Sequence, residues 1–346
     1  MSTFREIYFT PSEFSKIAKI DKVQIPKLEE DGLLKTIRVR VGNVDRKVIA
    51  LEDMQEYFNK LRNIVESRHG DQKAETEVSS PAHLINDLET FVPGNPMHKV
   101  QMFYNIKGGT GKSTLTSQFV MRATMLGLKV LALDLDGQGH LTVNLDILDG
   151  HERPTIYDVL INDLPIEEVI VNSAPGLDII PANLGLCNIE IPLNNKPRRE
   201  YRLAESIDSI KDYYDLIVAD TNPAASILNC SMLVASDLVN VVCATNPLSF
   251  HGMSLVMATI EEMEREFKRE LAVKIIPNMY DSREVISQEV LGELQSQFEG
   301  FCTESVMNRS ADLNEATKRR TTVFDVNSKG VAAQDVTRLT EELLYH

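Results

Sequence analysis

The sequence predicts an α/β protein in which a doubly wound, mostly parallel sheet follows a small N-terminal domain. Residues 100–104 form an apolar run, a glycine-rich turn follows it, and apolar residues then recur at helical spacing. Further apolar runs that end in acidic residues occur at 129–136 and 216–220. Buried runs that alternate with amphipathic stretches are typical of parallel strands joined by helices.

Composition and charge are those of a globular protein with an uneven charge distribution. The chain has 346 residues, 43% of them hydrophobic, and a formal net charge of −15. Residues 1–70 nevertheless hold 13 basic and 11 acidic residues, so this segment is the better candidate for binding nucleic acid. Because no apolar run reaches membrane-spanning length, no signal-peptide pattern opens the chain and the four cysteines show no paired spacing, we expect a cytoplasmic protein with reduced thiols.

Residues 1–70 predict a helix-turn-helix followed by a β-wing. The predicted elements are a helix capped by Thr10, a second helix at 22–30, strands at 33–41 and 46–50 around a Gly42-Asn43 turn, and a closing helix at 51–64. Candidate DNA contacts are Lys22, Gln24 and Lys27 on the second helix and Arg38, Arg40, Arg46 and Lys47 on the wing. A small helical domain that mediates oligomerisation or partner binding would show the same pattern, and both interpretations stay open.

Residues 71–98 predict a linker between the two domains. The stretch 71–80 is polar and has no periodicity, whereas Leu84, Ile85 and Leu88 would form a turn or two of amphipathic helix that serves as a dimer contact. The second domain would then span residues 99–346.

The glycine-rich turn after residue 104 predicts a phosphate-binding loop. It reads Lys-Gly-Gly-Thr-Gly-Lys-Ser over residues 107–113 and opens a helix. Glycines let backbone N–H groups crowd around phosphate oxygens, and the helix N-terminus adds partial positive charge. The lysine of such a loop reaches the β- and γ-phosphates, and its hydroxyl residue ligates Mg²⁺. The predicted nucleotide-binding residues of the loop are Gly108, Gly109, Thr110, Gly111, Lys112, Ser113 and Thr114.

This loop departs from the strict pattern because Ile106 stands where the first glycine belongs and Lys107 opens the motif. In this respect it resembles the deviant Walker A loop of the ParA/MinD family of ATPases. The resemblance implies a P-loop NTPase fold, ATP or ADP as ligand, Mg²⁺ as cofactor and a homodimer. It also implies that Lys107 reaches across the dimer interface to the partner's nucleotide.

Acidic residues follow two of the predicted strands. The family motif DxDPQGN corresponds to residues 134–140, with Gly137 and His140 replacing its proline and asparagine. By resemblance, Asp136 orients the attacking water, Asp134 supports the metal shell and Asp220 holds a Mg²⁺-bound water. The family continues after the last acid with Thr-Pro-Pro, whereas this chain has Asn222 at the first proline, which puts the geometry of that loop in question.

The C-terminal part carries two further stretches similar to ParA proteins, at residues 278–283 and 306–316. By resemblance, Asn278 hydrogen-bonds adenine, and Arg283 and Arg309 lie on a DNA-facing edge. Asn308 replaces a family proline, which puts the wall of the adenine pocket in question. The basic run Lys318, Arg319 and Arg320 would complete a non-specific DNA-binding patch, although a solvated charge run would look the same.

Taken as a whole, the resemblance implies a partition ATPase that dimerises with ATP, binds DNA non-specifically on the nucleoid and is released when a ParB-type centromere-binding partner stimulates hydrolysis. The N-terminal unit resembles the winged helix-turn-helix of longer plasmid ParA proteins, which also repress their own operon. Two alternatives stay open, a site-specific repressor with a nucleotide-sensing domain and a positioner of a non-DNA cargo. The acidic final helix lacks the basic amphipathic pattern of a membrane-targeting helix, which argues against a membrane role.

Overall fold

The structure, a computed structural model, describes residues 8–41, 44–70 and 95–346. Residues 8–70 include β1 (Tyr8–Phe9), α1 (Pro11–Ile17), α2 (Ile25–Glu30), β2 (Ile37–Val41), β3 (Val44–Ala50) and α3 (Leu51–Gly70). The three strands form an antiparallel sheet of order β1-β3-β2. We call this part of the chain the N-terminal unit, and the winged helix-turn-helix stays an interpretation of it.

Several boundaries in the N-terminal unit differ from the predicted ones: β3 begins two residues before the predicted 46–50, and α3 extends beyond the predicted 51–64 to residue 70. The helix predicted at 22–30 is a 3₁₀ turn, Lys22–Gln24, followed by α2. Pro26 lacks the N–H needed to continue a hydrogen-bonded series, so it suits the start of a new helix. The strand predicted from residue 33 begins at residue 37, because the N–H groups of Leu33 and Leu34 both donate to the Leu28 carbonyl and close α2.

Two predicted features fall outside the described residues. They are the Gly42-Asn43 turn and most of the predicted linker, including Leu84, Ile85 and Leu88.

Residues 95–346 form the large domain, which is built on a seven-stranded sheet. Its strands are β4 (Val100–Tyr104), β5 (Val130–Leu135), β6 (Val171–Ala174), β7 (Leu177–Ile180), β8 (Leu216–Thr221), β9 (Leu238–Ala244) and β10 (Ala272–Asn278). Their order is β10-β9-β4-β8-β5-β7-β6, and all neighbours are parallel except β6 and β7. The mostly parallel sheet is confirmed. The antiparallel edge strand β6 was not predicted, since its four residues alternate too little between apolar and polar side chains to signal a strand.

Helices cover both faces of the sheet. In chain order they are α4 (Lys112–Met125), α5 (His140–Asn144), α6 (Ile156–Asn162), α7 (Glu190–Asn194), α8 (Arg202–Ile210), α9 (Ile227–Ala235), α10 (Pro247–His251), α11 (Met253–Phe267), α12 (Val285–Gln297), α13 (Ala311–Arg319), α14 (Val323–Asn327) and α15 (Val331–Tyr345).

Side chains that alternate along the strands feed two separate apolar cores. On β4, Met102 and Tyr104 join the core under α6, α8, α9 and α11, whereas Phe103 joins the core under α4, α13 and α15. Successive side chains of a strand point to opposite faces, so a strand buried on both faces is apolar throughout. This accounts for the continuous apolar runs that the sequence shows.

The N-terminal unit continues the core on the α4 face. Phe14, Tyr57 and Leu61 belong to the same buried cluster as Phe119 of α4. The Gln55 side chain donates to the backbone carbonyls of Thr124, at 3.1 Å, and Pro175, at 2.8 Å. The described parts of the N-terminal unit and of the large domain are therefore packed together by apolar and polar contacts.

One arginine of α4 is buried in this junction. Arg122 is 1% exposed, donates to the Ile17 carbonyl at 3.3 Å, and lies with its guanidinium carbon 5.2 Å from the centre of the Phe324 ring. Burial lowers its pKa to about 10, against the opposing charge of Glu341. Glu341 in turn pairs with Lys19 of the N-terminal unit at 2.7 Å.

A search of the described helices finds none whose length and apolarity would let it cross a bilayer.

Gly127 tests how tightly α3 and α4 are packed. Its φ is +81°, and an added Cβ would lie 2.9 Å from Asn59 Oδ1 and 3.0 Å from the Gln55 carbonyl oxygen. We expect Gly127→Ala to lose about 1–2 kcal/mol of unfolding free energy through backbone strain and about 1–3 kcal/mol more through overpacking. Urea denaturation measures the loss.

Gly300 provides the matched control, because its φ is +83° and an added Cβ would meet no heavy atom of the described residues within 4 Å. Gly300→Ala should show the backbone cost alone. If both variants lost the same unfolding free energy, the junction could accommodate an added methyl group and would not be tightly packed.

Candidate nucleotide-binding site

The glycine-rich loop lies at the carboxyl end of β4, between the neighbouring strands β8 and β9. Gly109 and Gly111 have φ values of +75° and +93°, which residues with a Cβ rarely adopt. An added Cβ on Gly111 would also lie 2.4 Å from Asn278 Nδ2. Glycine is therefore needed there both for the turn and for the close approach of β10.

Asn278 supports the loop from β10. It is 4% exposed, and its Nδ2 donates to the Thr110 carbonyl at 2.7 Å. The structure thus gives Asn278 a contact with the loop backbone that was not predicted, and its hydrogen bond to adenine stays a prediction.

The two lysines of the loop lie in different surroundings. Lys112 is 7% exposed, and its Nζ donates to the Lys107 carbonyl at 3.3 Å, while the side chain of Lys107 is only partly buried. Burial lowers the pKa of Lys112, and the carboxylates of Asp220 and Asp136 oppose this effect. Lys112 is thus held near the two acids, whereas part of the Lys107 side chain stays exposed.

Asp134 and Asp136 occupy the carboxyl end of β5, with Asp134 directly opposite Asp220 in the neighbouring strand. Asp134 is fully buried, and one of its oxygens accepts from the Thr142 hydroxyl, at 2.7 Å, and N–H, at 2.8 Å. Burial raises its pKa to about 6 although these bonds oppose the shift. Asp136 is partly buried, and its Oδ1 accepts from the Gln138 N–H at 3.0 Å.

Asp220 is buried without compensation. Its side chain is inaccessible, and neither carboxylate oxygen has a hydrogen-bond partner among the described residues. Burial raises its pKa well above the ordinary value, and the Asp134 charge adds to the rise, while Ser113 and Lys112 lower it. Ser113 lies close enough to affect Asp220 without reaching hydrogen-bond geometry with it.

Uncompensated carboxylate oxygens next to a hydroxyl are a donor set that fits Mg²⁺, which prefers oxygen ligands and takes one or two carboxylates together with phosphate oxygens. In the part of the chain that the structure describes, no group of three or more acidic, histidine or cysteine side chains is placed to hold a metal on its own. The residues therefore fit a cation that shares its ligands with a bound phosphate, held by Ser113 and Asp220 with Asp134 behind them.

A cavity of about 340 Å³ opens beside the loop. Gly111, Thr114, Asn278, Met279, Asn308 and Arg309 are among the residues that line it. Asn308, which replaces the family proline, is fixed because its N–H and its Nδ2 both donate to one oxygen of Asp335, at 3.1 and 2.8 Å. The cavity is of a size that small ligands occupy, and the sequence did not single out Met279.

Two further departures from the family motifs, Asn222 and Gly137, are also accommodated. Asn229 Nδ2 donates to the carbonyls of Asn222 and Ala224 and to the Asn222 side chain, at 2.6–3.0 Å. At Gly137, where the family has proline, an added Cβ would lie 2.4 Å from Cys187 Sγ, so the neighbouring thiol fills that space.

The predicted DNA contacts of the large domain divide into two groups. Arg283 is bonded to Asp281 through two nitrogens, at 2.8 and 2.6 Å, and 86% of its side chain stays exposed. Arg309 lowers the pKa of the same aspartate and lines a surface cavity with Arg283 and Lys329. These cations are brought together, and Lys329 was not predicted.

The basic run at 318–320 is largely neutralised inside the large domain. Lys318 is exposed, but Arg319 pairs with Asp325 at 2.6 Å and Arg320 Nε lies 2.9 Å from Asp146 Oδ1. Pairing of this kind depends on tertiary contacts, so the run could not be assessed from the sequence.

The predicted DNA contacts of the N-terminal unit are exposed or half-buried, and the side chain of Gln24 accepts from the N–H of Asp21. Arg38 lies opposite Lys47, and Arg40 lies opposite Asp45, so these four share one face of the hairpin. Arg46 lies opposite Val39 and therefore points to the other face. Lys47 is also paired with Glu29 of α2.

Sequence analysis missed three polar residues that hold the site in place, Asn105, Thr142 and Asn229. All three are buried polar side chains close to a functional segment, which is a feature that would have identified them. Burial cannot be read from the residue type, so the sequence alone does not show this feature.

The buried Asp220 carboxylate should lower the free energy of unfolding of the unliganded protein, and a substitution can measure this effect. Without nucleotide and with EDTA present, we expect Asp220→Asn to raise the unfolding free energy at pH 7 by about 1–2 kcal/mol, because a buried charge is removed. The raised pKa means that the charge destabilises the fold at neutral pH and ceases to do so as falling pH protonates the carboxyl. The gain should therefore shrink toward acid pH, as urea denaturation at several pH values would measure.

Asp134→Asn is the matched control, since Asp134 is equally buried but accepts hydrogen bonds from Thr142 and Asp136 that an amide only partly replaces. It should stabilise the protein less than Asp220→Asn or destabilise it. A loss of stability in Asp220→Asn would show that the carboxylate is compensated after all.

Comparisons with known proteins place this geometry in a family. A family model described as an AAA domain matches residues 98–273. The chain is 30% identical to the cell division protein PomZ of Myxococcus xanthus, over 75% of this chain and 82% of that protein. It is 29% identical to the chromosome partitioning protein ParA of Caulobacter vibrioides, over 72% of this chain and 95% of that protein.

Among solved structures, cobyrinic acid a,c-diamide synthase from Mycobacterium smegmatis, with bound ATP analogue and magnesium, matches with a TM-score of 0.59. The identity is 26%, over 64% of this chain and 91% of that one. The family model, the relatives and the two-lysine phosphate loop agree, and this chain belongs to the ParA-type family of P-loop ATPases.

Proposed function

We propose that this protein is a Mg²⁺-dependent partition ATPase whose ATP-bound homodimer binds DNA non-specifically. The observation that carries the proposal is the pair of lysines in the phosphate loop, with Lys112 buried near Asp136 and Asp220 and Lys107 partly exposed. The C. vibrioides relative, a chromosome partitioning protein, supports this reaction and its use in segregating DNA.

Each residue of the site has a role that follows from its position. Lys112 and the loop N–H groups hold the phosphates, and the partly buried Asp136 orients the attacking water through the oxygen that its loop leaves available. Ser113 and Asp220 would hold Mg²⁺, which when bound would neutralise charge on the β- and γ-phosphates. Catalysis of this kind depends on position and electrostatics and needs no covalent intermediate.

A second copy of the chain completes the site. Lys107 of one subunit would reach the nucleotide of the other, since its own loop directs only its carbonyl toward Lys112. Large apolar side chains stand exposed on segments that follow sheet strands on the same edge: Leu184 is 69%, Ile191 78% and Leu248 77% exposed. We assign these side chains to the interface with the second copy, because an apolar patch exposed on a monomer is often an interaction site.

The N-terminal unit gives the protein a second, site-specific mode of DNA binding. The face of Arg38 and Arg40, together with Lys22 and Lys27, would contact an operator in the protein's own upstream region and so repress it. Cycling between this role and nucleoid binding would be set by the nucleotide, with a ParB-type partner stimulating hydrolysis.

A ParA-like positioner of a non-DNA cargo is the second candidate function. The observation that favours it is the similarity to PomZ, a cell division protein. The two functions share the ATP-dependent dimer and differ in the partner that stimulates hydrolysis.

Substitutions in the site should separate binding from hydrolysis. We expect Asp136→Ala to keep ATP-dependent dimerisation and to reduce the hydrolysis rate by at least about 100-fold, because Asp136 positions water. Lys112→Ala should lose nucleotide binding and, with it, dimerisation. Fluorescent ATP-analogue binding, sedimentation and phosphate release measure the three properties.

Asp149→Ala is a control for loss of an acid, since the Asp149 side chain is 55% exposed and pairs with Arg153. It should leave all three properties unchanged. Hydrolysis at the normal rate in Asp136→Ala would rule out the proposed role of that carboxylate.

Two kinds of DNA binding should be separable by substitution. With ATP, we expect Arg283→Ala/Lys318→Ala to weaken binding to random duplex DNA and to reduce the slope of log K against log salt by about 1 to 2, since Lys318 is exposed whereas Arg283 must first leave Asp281 to meet a phosphate. Arg38→Ala/Arg40→Ala should instead remove binding to the upstream region. Arg309 is left in place because it also lines the cavity beside the loop.

Arg265, an exposed arginine on α11, is the control, and Arg265→Ala should change neither kind of binding. Random-DNA binding that does not respond to ATP, ADP or absence of nucleotide would contradict the partition function and leave the repressor or the cargo positioner.

A further inference from the structure

Asn105 connects the central strands to the lysine that opens the phosphate loop. It follows β4 directly, is 1% exposed, and its Nδ2 donates to the Val242 carbonyl of β9 at 2.7 Å. Its Oδ1 accepts from the Lys107 N–H at 2.9 Å. One side chain therefore joins β9 to the first residue of the loop.

The chemistry of the two partners fixes the orientation of the amide. A backbone N–H can only donate and a backbone carbonyl can only accept, so the oxygen must face Lys107 and the nitrogen must face Val242. Aspartate would bring a carboxylate oxygen against the Val242 carbonyl. Asparagine is thus the residue of this length that satisfies both partners.

The N–H that Asn105 holds belongs to the first lysine of the motif, and the carbonyl of the same residue contacts the second lysine. Lys107 donates through its N–H to Asn105, and its carbonyl accepts from Lys112 Nζ at 3.3 Å. The direction in which the Lys107 side chain leaves the loop is set by the same backbone. A shift of this peptide would therefore move Lys107 relative to a second subunit.

We propose that Asn105 is a positioning residue that aims Lys107 across the dimer interface. The inference rests on the proposed function of Lys107. Both polar atoms of the Asn105 side chain are engaged by the protein backbone, so its effect passes through the lysine.

A double-substitution cycle on dimerisation tests the proposal. Dissociation constants of the dimer are measured by sedimentation with the non-hydrolysable analogue AMPPNP and Mg²⁺, for the wild type, Asn105→Ala, Lys107→Ala and the double variant. We expect each single variant to weaken the dimer by up to about 100-fold, the loss that a misplaced group can cause. The double variant should be no weaker than Lys107→Ala, because a residue that acts through the lysine has nothing left to position.

Asn240 is a matched control. It too is a buried asparagine that joins β9 to β4, since its Nδ2 donates to Gln101 Oε1 at 3.0 Å, but it lies on β9 away from the loop. Asn240→Ala should lower the melting temperature by an amount similar to Asn105→Ala while leaving dimerisation unchanged. This comparison separates positioning from general loss of stability.

The outcomes are distinct. If Lys107→Ala leaves the dimer unchanged, the proposed function of the lysine fails and this inference falls with it. If Lys107→Ala weakens the dimer but Asn105→Ala does not, or if the two effects add in the double variant, only the inference is overturned. Equal weakening of the dimer by Asn240→Ala and Asn105→Ala would also overturn it.

Discussion

The phosphate loop has to keep its backbone N–H groups available for a ligand, and this constraint shapes the surrounding structure. A loop that cannot use its own N–H groups for internal hydrogen bonds must be stabilised from outside. Asn105 connects its start to β9, and Asn278 lies against Gly111 and holds the Thr110 carbonyl from β10. The two supports come from strands on the same side of β4.

The same edge of the sheet holds buried carboxylates that reduce the stability of the unliganded fold. Asp134 is compensated by Thr142 at the start of α5, whereas Asp220 has no such partner among the described residues and faces Lys112 and Ser113. Burying a carboxylate without hydrogen bonds opposes folding. A cation and a phosphate would provide the missing interactions.

Much of this could be predicted from the sequence, for identifiable reasons. Strands β4, β5, β8 and β9 are buried on both faces, so each appears in the sequence as a continuous apolar run. Asp134 and Asp220 lie near the ends of two of these strands. The supports Asn105 and Thr142 could not be predicted, since their roles depend on which strand or loop lies next to them. The ion pairs that neutralise Arg319 and Arg320 escape sequence analysis in the same way, because their partners, Asp325 and Asp146, are chosen by the fold.

The burial of Arg122 limits how the two parts of the chain can be recombined. Its guanidinium, inside the junction, depends on the Ile17 carbonyl and the Phe324 ring, and α4, which carries it, begins at the phosphate loop. A chimera that took residues 8–70 from another protein would leave this arginine facing a foreign surface. In protein engineering, the N-terminal unit should therefore be transferred together with the C-terminal end of α4. A domain boundary placed in the linker would separate the two sides of this packed interface.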